Sequence, residues 1–314
     1  MTDFSISIAV FGYKRPEKLD HLLSSIKSSN ALPLISSVQV FVDGPKNENG
    51  NQMVLETQRV ALAYEGGKFS VFLSPINKGL ESSILSGVSV TFESNDAVIV
   101  LEDDLKLDDY ALQYFVDCLL QFSSSKVIGA INGFCFLPTD KGELIHLDPR
   151  PNSWGWATWK ENWDAFLEHQ DSRLLNEKSY GDIRSLGHDM PRMLQAYVNG
   201  KIDSWAIQWA EFFFSRKLLC VSPRYRFCEN AGHQDSQATH TKNKNSFDQA
   251  ENTQREISDS LMHIKGQTLE ALEIDEISVL MNSNFIRFLQ KVLPNSIWII
   301  FLNFMQQKMS DANQ

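Results

Sequence analysis

Short apolar runs alternate with helical patterns along the first part of the chain. Residues 6–11 are apolar and β-favouring, and residues 12–16 break this run before apolar residues recur at helical spacing up to Ile26. The same pattern predicts further strands at 38–42, 69–73, 97–101 and 127–131. It also predicts helices at 53–64, after residue 79 up to about residue 92, and at 110–122. This alternation is typical of a parallel, doubly wound α/β sheet.

The strand at 97–101 leads directly into three acidic residues, Glu102, Asp103 and Asp104. Because ligands collect at the carboxyl ends of strands in open α/β sheets, we expect these carboxylates on the floor of a cleft. Mg²⁺ and Mn²⁺ take carboxylate oxygens together with substrate phosphates, which indicates a metal-bridged nucleotide-diphosphate site. The alternative is a polar turn in which Asp103 or Asp104 caps the following helix.

Two earlier strands also end in polar residues. Arg15 follows the first strand and Asp43 follows the second, so right-handed crossovers would bring both to the edge that carries Asp103. Each could instead be an ordinary turn residue. For the segment 77–79, a charged turn is favoured over a diphosphate contact. Neither GxGxxG nor GxxxxGK[ST] is present, so the sequence does not support a dinucleotide dehydrogenase or a P-loop NTPase.

Six of the seven tryptophans fall between residues 154 and 209. The spacing of Trp156, Trp159 and Trp163 predicts one helical face, for which core packing is favoured over ligand stacking. Trp154, at a glycine-bounded turn, is the tryptophan that we place near a sugar. Asp203 lies among apolar and aromatic residues, where desolvation would raise the pKa of a carboxylate and make it a usable base. The competing account is an N-cap.

Composition narrows the class of protein further. The 314 residues carry a formal net charge of −10 and no basic stripe, which disfavours a nucleic-acid binder. The four cysteines lack metal-type spacing and are too sparse for a disulfide scaffold, and the N-terminus lacks a signal-type pattern. We therefore expect a cytoplasmic protein, with any lipid-linked substrate reached from the inner face of the membrane.

The C-terminal part has a different pattern. Residues 241–254 are polar and indicate a linker, and a helical pattern follows with an aromatic-rich segment at 285–305. Its longest apolar run, 297–302, is too short to span a bilayer. Docking of this segment on its own domain is favoured, and contact with a membrane surface or a second subunit are the alternatives. The predicted domains are 1–245, with halves at about 1–132 and 133–245, and 246–314.

The ordered series of these segments over residues 5–242 resembles the GT-A nucleotide-sugar glycosyltransferases, most closely the N-acetylglucosaminyltransferase I type and its bacterial relatives. The matching features are Arg15, Asp43, the block 100–104, the tryptophan segment from 154, Asp203 to Trp205, and the loop 232–240. The resemblance implies an α/β fold of GT-A (Rossmann-like) class: a mainly parallel sheet flanked by helices, with a C-terminal helical extension.

The resemblance also implies a role for each matching residue. Asp104 would hold Mn²⁺ (or Mg²⁺), with His240 as an additional contact, and Asp203 would be the general base of an inverting transfer. The donor would be bound by Arg15, Asp43, Glu102, Asp103, Gly232 and His233.

We therefore expect an inverting metal-dependent glycosyltransferase. It would use a nucleotide-sugar donor, with UDP favoured, and a glycan or lipid-linked glycan acceptor, and it would make no nucleic-acid contact. A sugar nucleotidyltransferase and a non-catalytic carbohydrate-binding member of the same fold are the alternatives. An oligomeric state stays open.

Overall fold

The computed structural model describes residues 4–46, 51–135, 144–171 and 182–231. Its main sheet has eight strands in the order β3-β2-β1-β4-β8-β6-β9-β7, and β5 pairs with β10 in a second, two-stranded sheet. The strands are β1 (Ile6–Gly12), β2 (Ser37–Val42), β3 (Phe69–Leu73), β4 (Ala97–Glu102), β5 (Leu105–Leu107), β6 (Ile128–Asn132), β7 (Ile145–Asp148), β8 (Trp156–Trp159), β9 (Leu219–Pro223) and β10 (Cys228–Asn230).

The helices fill the crossovers that the sequence pattern predicts and continue into the second half of the described chain. They are α1 (Pro16–Ser28), α2 (Asn51–Leu62), α3 (Leu80–Thr91), α4 (Ala111–Gln121), α5 (Lys160–Asp171), α6 (Met190–Val198) and α7 (Trp205–Arg216). Short 3₁₀ turns lie at Leu32–Leu34 and Asp182–Leu186.

Most strands of the main sheet run in one direction. Parallel pairing joins β3 to β2, β2 to β1, β1 to β4 and β6 to β9. Only β8, between β4 and β6, and β7 at the edge run the opposite way within the described residues. The predicted α/β class, a mainly parallel GT-A-type sheet flanked by helices, is therefore confirmed.

The central strands are apolar because both faces of the sheet are covered. Every residue of β1 is buried, and β4 is buried up to its last residue, Glu102. Alternate residues of β1 belong to two separate hydrophobic clusters: Ile8 and Val10 pack on one side, and Ala9 and Phe11 on the other. Parallel strands buried on both faces read as continuous apolar runs, as these do.

The prediction that Trp156, Trp159 and Trp163 share one helical face is wrong. Trp156 and Trp159 are the two ends of strand β8, and α5 begins only at Lys160. Residues three apart in a strand point to opposite faces, so Trp156 packs in one hydrophobic cluster and Trp159 in the other. All three side chains are buried, so the interpretation that they pack in the core is confirmed.

The predictions about the cysteines and about membrane-spanning segments can be compared with the described residues. Cys118, Cys135, Cys220 and Cys228 are all buried and free. Among the helices within the four described ranges, none combines the length and apolar character needed to cross a bilayer. The linker, the extension 246–314 and its aromatic segment 285–305 lie outside the described residues. The domain boundaries, the oligomeric state and the cytoplasmic or inner-membrane-face location stay predictions.

Candidate functional site

A cavity of about 840 Å³ opens at the carboxyl ends of the parallel strands. Parallel strands deliver the residues that follow them to one edge of the sheet, which is where ligands bind in this class of fold. The cavity brings together all six predicted site residues that lie in the described ranges: Arg15, Asp43, Glu102, Asp103, Asp104 and Asp203.

One arginine joins the two aspartates that follow β4. Arg15 Nη1 donates to Asp103 Oδ1 at 2.9 Å and to Asp104 Oδ2 at 2.8 Å, and the main-chain N–H of Tyr13 donates to Asp103 Oδ2 at 3.0 Å. Neither aspartate is a helix cap, because β5 follows at once and α4 begins only at Ala111. The alternative of a capping turn is therefore wrong.

Burial perturbs the ionisation of this acidic group. Desolvation, with the charges of Asp104 and Asp103, raises the pKa of Glu102 to about 8, against the opposing effect of Arg15. Desolvation also raises the pKa of Asp103 to about 6 and outweighs its ion pair with Arg15. The cavity floor therefore carries fewer than three full negative charges at neutral pH, and it would gain charge when a cation binds beside it.

Asp43 organises the loop between β3 and α3. Its carboxylate accepts hydrogen bonds from the main-chain N–H groups of Gly44, Lys78 and Gly79 at 2.8 to 3.1 Å and from the side-chain amide of Asn77 at 2.8 Å. A Cβ on Gly44 would lie 2.5 Å from the main chain of this loop, so only glycine permits the approach. The loop is a charged turn, as favoured, and it also lines the cavity.

The environment of Asp203 differs from the one that the sequence predicts. Its side chain lies on the cavity wall but is exposed, so the expected burial among aromatic residues is wrong. The N-cap of α7 is Ser204, and it makes no side-chain capping bond, so the N-cap account of Asp203 is also wrong. The sequence analysis did not single out Glu81, in the first turn of α3: burial, followed by the effect of the neighbouring Asp203 carboxyl, raises the pKa of Glu81 to about 7.

Aromatic side chains form part of the remaining wall. Phe11, Phe41 and Phe72 occupy matched positions on β1, β2 and β3, and neighbouring rings stack with centroids 5.2 and 5.0 Å apart. Trp154, which we placed near a sugar, lines the cavity and contacts Phe134 edge-to-face at 4.5 Å. The cavity therefore offers flat apolar surfaces beside its charged floor, as a sugar or a nucleobase requires.

A further ion pair at the cavity was not found from the sequence. Arg150 lines the wall, and its guanidinium forms two hydrogen bonds with Asp189, at 2.9 and 3.2 Å. The partners are 39 residues apart and belong to no motif.

Gly232, His233 and His240 lie outside the described residues, so their predicted contacts stay predictions. The described chain ends next to the acidic group, however. The main-chain N–H of Ala231 donates to the carbonyl oxygen of Asp104 at 2.8 Å, and Lys18 Nζ donates to the carbonyl oxygen of Ala231 at 2.9 Å. Ala231, the last residue of this described range, therefore lies beside the cavity floor.

The residues present fit a divalent cation that is bound largely by substrate. Within the described ranges, no three Asp, Glu, His or Cys side chains converge into a complete metal site. The carboxylate of Asp104 is a hard oxygen ligand at the cavity, partly accessible, and paired through one oxygen with Arg15. Mg²⁺ and Mn²⁺ are often held by one or two carboxylates with substrate phosphates completing the shell, and Asp104 suits that arrangement.

The fold and cavity define an α/β protein of GT-A type with an acidic group at the carboxyl edge of its sheet. No protein-family model and no curated protein matches the chain. Among solved structures, it is similar to a cytidylyltransferase from Leptospira borgpetersenii at 14% identity and TM-score 0.35, with 52% of this chain and 64% of that chain covered.

Two further solved structures show similarity. Glucosyl-3-phosphoglycerate synthase from Mycobacterium tuberculosis, in complex with Mn²⁺, UDP and glucosyl-3-phosphoglycerate, has 17% identity and TM-score 0.31, with 42% of this chain and 44% of that chain covered. 4-Diphosphocytidyl-2C-methyl-D-erythritol synthase from Anaerococcus prevotii has 9% identity and TM-score 0.39, with 71% and 89% covered. The chain spans less than two thirds of the first two structures.

Proposed function

We propose that the protein is an inverting, metal-dependent glycosyltransferase that moves a sugar from a nucleotide-diphosphate donor, a UDP-sugar, to a glycan or lipid-linked glycan acceptor. The observation that carries the proposal is the single cavity shared by Asp104, Arg15 and Asp203. Such a transfer requires a cation-binding carboxylate, a positively charged group for the diphosphate and a base for the acceptor, and we assign these roles to Asp104, Arg15 and Asp203.

The donor side is assigned to the strand ends. Arg15, Asp43, Glu102 and Asp103 would contact the nucleotide and its sugar, and Asp104 would hold Mn²⁺ or Mg²⁺. The cation, when bound, stabilises the charge that develops on the departing diphosphate. Arg15 pairs with Asp104 at 2.8 Å, and its guanidinium would also supply positive charge to the phosphate oxygens of the donor.

The acceptor side is assigned to Asp203. An exposed carboxylate on the cavity wall can reach a hydroxyl group of an incoming acceptor and take its proton during attack on the anomeric carbon. Attack opposite to the leaving diphosphate inverts the anomeric configuration. Gly232 and His233 would cover the donor, and His240 would add a contact to the metal or phosphates.

Ligand-induced thermal shifts test the donor side. UDP, GDP and CDP and their sugar conjugates are screened with Mn²⁺ and with EDTA, and we expect the largest stabilisation with a UDP-sugar plus Mn²⁺. Asp104→Ala should abolish the Mn²⁺-dependent part. Asp109→Ala removes an exposed carboxylate just beyond β5 and is the matched control, with an unchanged shift expected. An unchanged shift in Asp104→Ala would reject its role as ligand.

Asp203→Asn tests the chemistry separately from binding. This variant should bind the nucleotide and Mn²⁺ as the wild type does and should lose transfer to the acceptor. Near-normal transfer would remove Asp203 from the mechanism. Release of inorganic pyrophosphate from a nucleoside triphosphate would indicate a sugar nucleotidyltransferase instead. Sugar binding without Mn²⁺-dependent nucleotide binding would indicate a carbohydrate-binding protein.

A further inference from the structure

A pair of carboxyl groups joins the two halves of the cavity. Glu81 lies in the first turn of α3, directly after the loop that Asp43 organises, and Asp203 lies just before α7. The two elements pack against each other, and a Cβ built on Gly79 would lie 4.0 Å from Asp203 Oδ2. Gly79 has a φ of 81°, a conformation that favours glycine, so the close approach of Asp203 coincides with a position that suits no side chain.

A chain of hydrogen bonds orients the Glu81 carboxyl. Gln170 Nε2 donates to Gln208 Oε1 at 2.6 Å, and Gln208 Nε2 donates to Glu81 Oε1 at 2.7 Å. Oε2 of Glu81 is buried and makes no hydrogen bond of standard geometry within the described residues. The Asp203 carboxyl and the main-chain N–H of Ser204 are further polar groups that influence the pKa of Glu81.

We propose that Glu81 is a positioning residue for Asp203, holding that carboxylate at the cavity wall by donating a hydrogen bond from Oε2. This proposal rests on the proposed function, in which Asp203 is the base. Two adjacent carboxyl groups are stable when they share one proton. Because Gln208 donates to Oε1, the proposal places the shared proton on Oε2, where it can be donated to Asp203.

The surroundings contain few other charges. The elements packed against α3 include β1, β2, β4, α7 and α5, whose Trp163 donates to Ser89 of α3. On α5, Lys160 pairs with Asp164, and Glu161 pairs with Lys126. β1 and β2 carry no charged residue, and Glu102 at the end of β4 interacts with its own acidic neighbours and Arg15. On α7, Glu211 bonds to His169 at 2.8 Å, and Arg216 lies in the last turn. Burial and Asp203 are therefore the dominant influences on Glu81, and the proton is retained up to about pH 7.

The first test measures the pair without substrate. Thermal unfolding of wild type, Glu81→Gln, Asp203→Asn and the double variant is compared at about pH 5.5 and about pH 8.5. At the higher pH, Glu81→Gln should raise Tm by about 3 °C, because the amide still donates to Asp203 but does not ionise. The gain should be small at the lower pH and smaller in the Asp203→Asn background, where only the cost of burying a charged Glu81 remains. Equal gains in both backgrounds would overturn the proposal.

The second test measures the consequence for transfer, with the UDP-sugar that gives the largest thermal shift. Glu81→Ala should lower kcat by about tenfold or more with little change in donor KM, because a displaced base loses rate without loss of binding. Glu81→Gln should restore kcat and extend activity above about pH 8. The matched control is Glu93→Gln, an exposed carboxylate just beyond α3, with an unchanged profile expected.

The outcomes separate the two proposals. Loss of kcat in Glu81→Gln equal to that in Glu81→Ala, or a normal kcat in Glu81→Ala, would overturn the positioning role while Asp203 remains the base. Normal transfer by Asp203→Asn would instead overturn the proposed function, and the positioning role with it, even if the unfolding cycle still shows that Glu81 and Asp203 are coupled.

Discussion

Replacing Asp43 by alanine tests how far its hydrogen bonds stabilise the cavity wall. Asp43→Ala removes the acceptor of the Gly44 main-chain N–H, just after β2, and of three groups in the turn that precedes α3: the main-chain N–H groups of Lys78 and Gly79 and the side-chain amide of Asn77. A hydrogen bond to a charged acceptor contributes about 1.5–3 kcal/mol when its loss leaves the donor buried. Water can reach part of this turn from the cavity, so about 1 kcal/mol for each of the three groups in the turn is the reasonable sum, about 3 kcal/mol in all.

This loss is measurable by thermal or urea unfolding. For a domain of this size, about 3 kcal/mol corresponds to a fall in Tm of about 6–10 °C. Asp43→Asn keeps one acceptor oxygen and should lose about half as much. The control is Asp164→Ala, which removes an exposed carboxylate paired with Lys160 on α5 and should cost less than about 0.5 kcal/mol.

The binding of UDP separates two roles of Asp43. If Asp43 only organises the turn, Asp43→Ala should bind UDP more weakly because the turn is less ordered. Asp43→Asn, which loses less stability, should then bind UDP with intermediate affinity. A Tm for Asp43→Ala within about 2 °C of the wild type would refute the structural reasoning. If UDP binding were still lost at that unchanged Tm, Asp43 would act through direct contact with the nucleotide.

Three further predictions follow from single residues. The folded-state pKa of Glu81 is raised from 4.5 to about 7, so its contribution to stability is present below about pH 4.5 and is lost as pH rises through 7. After discounting for solvent screening, the difference in unfolding free energy between wild type and Glu81→Gln should change by about 1 kcal/mol across that pH window in urea unfolding. Parallel pH dependences of the two proteins would refute this prediction. Gly79→Ala should cost about 1–2 kcal/mol in the same assay because φ is positive, and no loss would show that the turn adapts. Trp156→Ala should cost about 3–5 kcal/mol, since the ring is buried and stacks on Trp205 at 5.0 Å, and a cost below about 1 kcal/mol would contradict its place in the core.

The first half of the fold could be predicted from the sequence because its signal is local. The strands at the start of the chain read as apolar runs, and the helices between them have one apolar face, as α1 shows with Leu19, Leu22, Leu23 and Ile26 buried. Parallel direction then fixes the edge on which Arg15, Asp43 and Asp103 emerge. Their convergence follows from topology and needs no knowledge of side-chain packing.

Strand β8 could not be predicted in this way. All four of its residues are buried because both sheet faces are covered, so the polar alternation that marks a half-buried strand is absent. Trp156 and Trp159, three apart, then match a helical repeat equally well. Helix α5 follows directly, and its buried Trp163 continues the helical spacing that begins at Trp156. The three tryptophans therefore match a helical repeat although two of them lie in a strand.

Glu81 and Asp203 show why local sequence patterns do not predict the contacts between distant residues in the site. A glutamate in the first turn of a helix is common because it complements the helix dipole, so nothing in its own segment marks Glu81 as unusual. Its environment is set by Asp203 and Gln208, more than 120 residues later, and by the way α7 packs on α3. The aromatic neighbours that suggested a buried Asp203 point into the core, while Asp203 itself stays exposed at the cavity.

This arrangement has a consequence for how the two halves of the cavity cooperate. Asp43 holds the main chain of the turn at Lys78 and Gly79, and Glu81, the residue that we propose to position Asp203, lies two residues further on in α3. A nucleotide that contacts this turn would therefore bind close in the chain to the residue that positions the proposed base. In this proposal, the short segment from Lys78 to Glu81 connects the donor side of the cavity to the acceptor side.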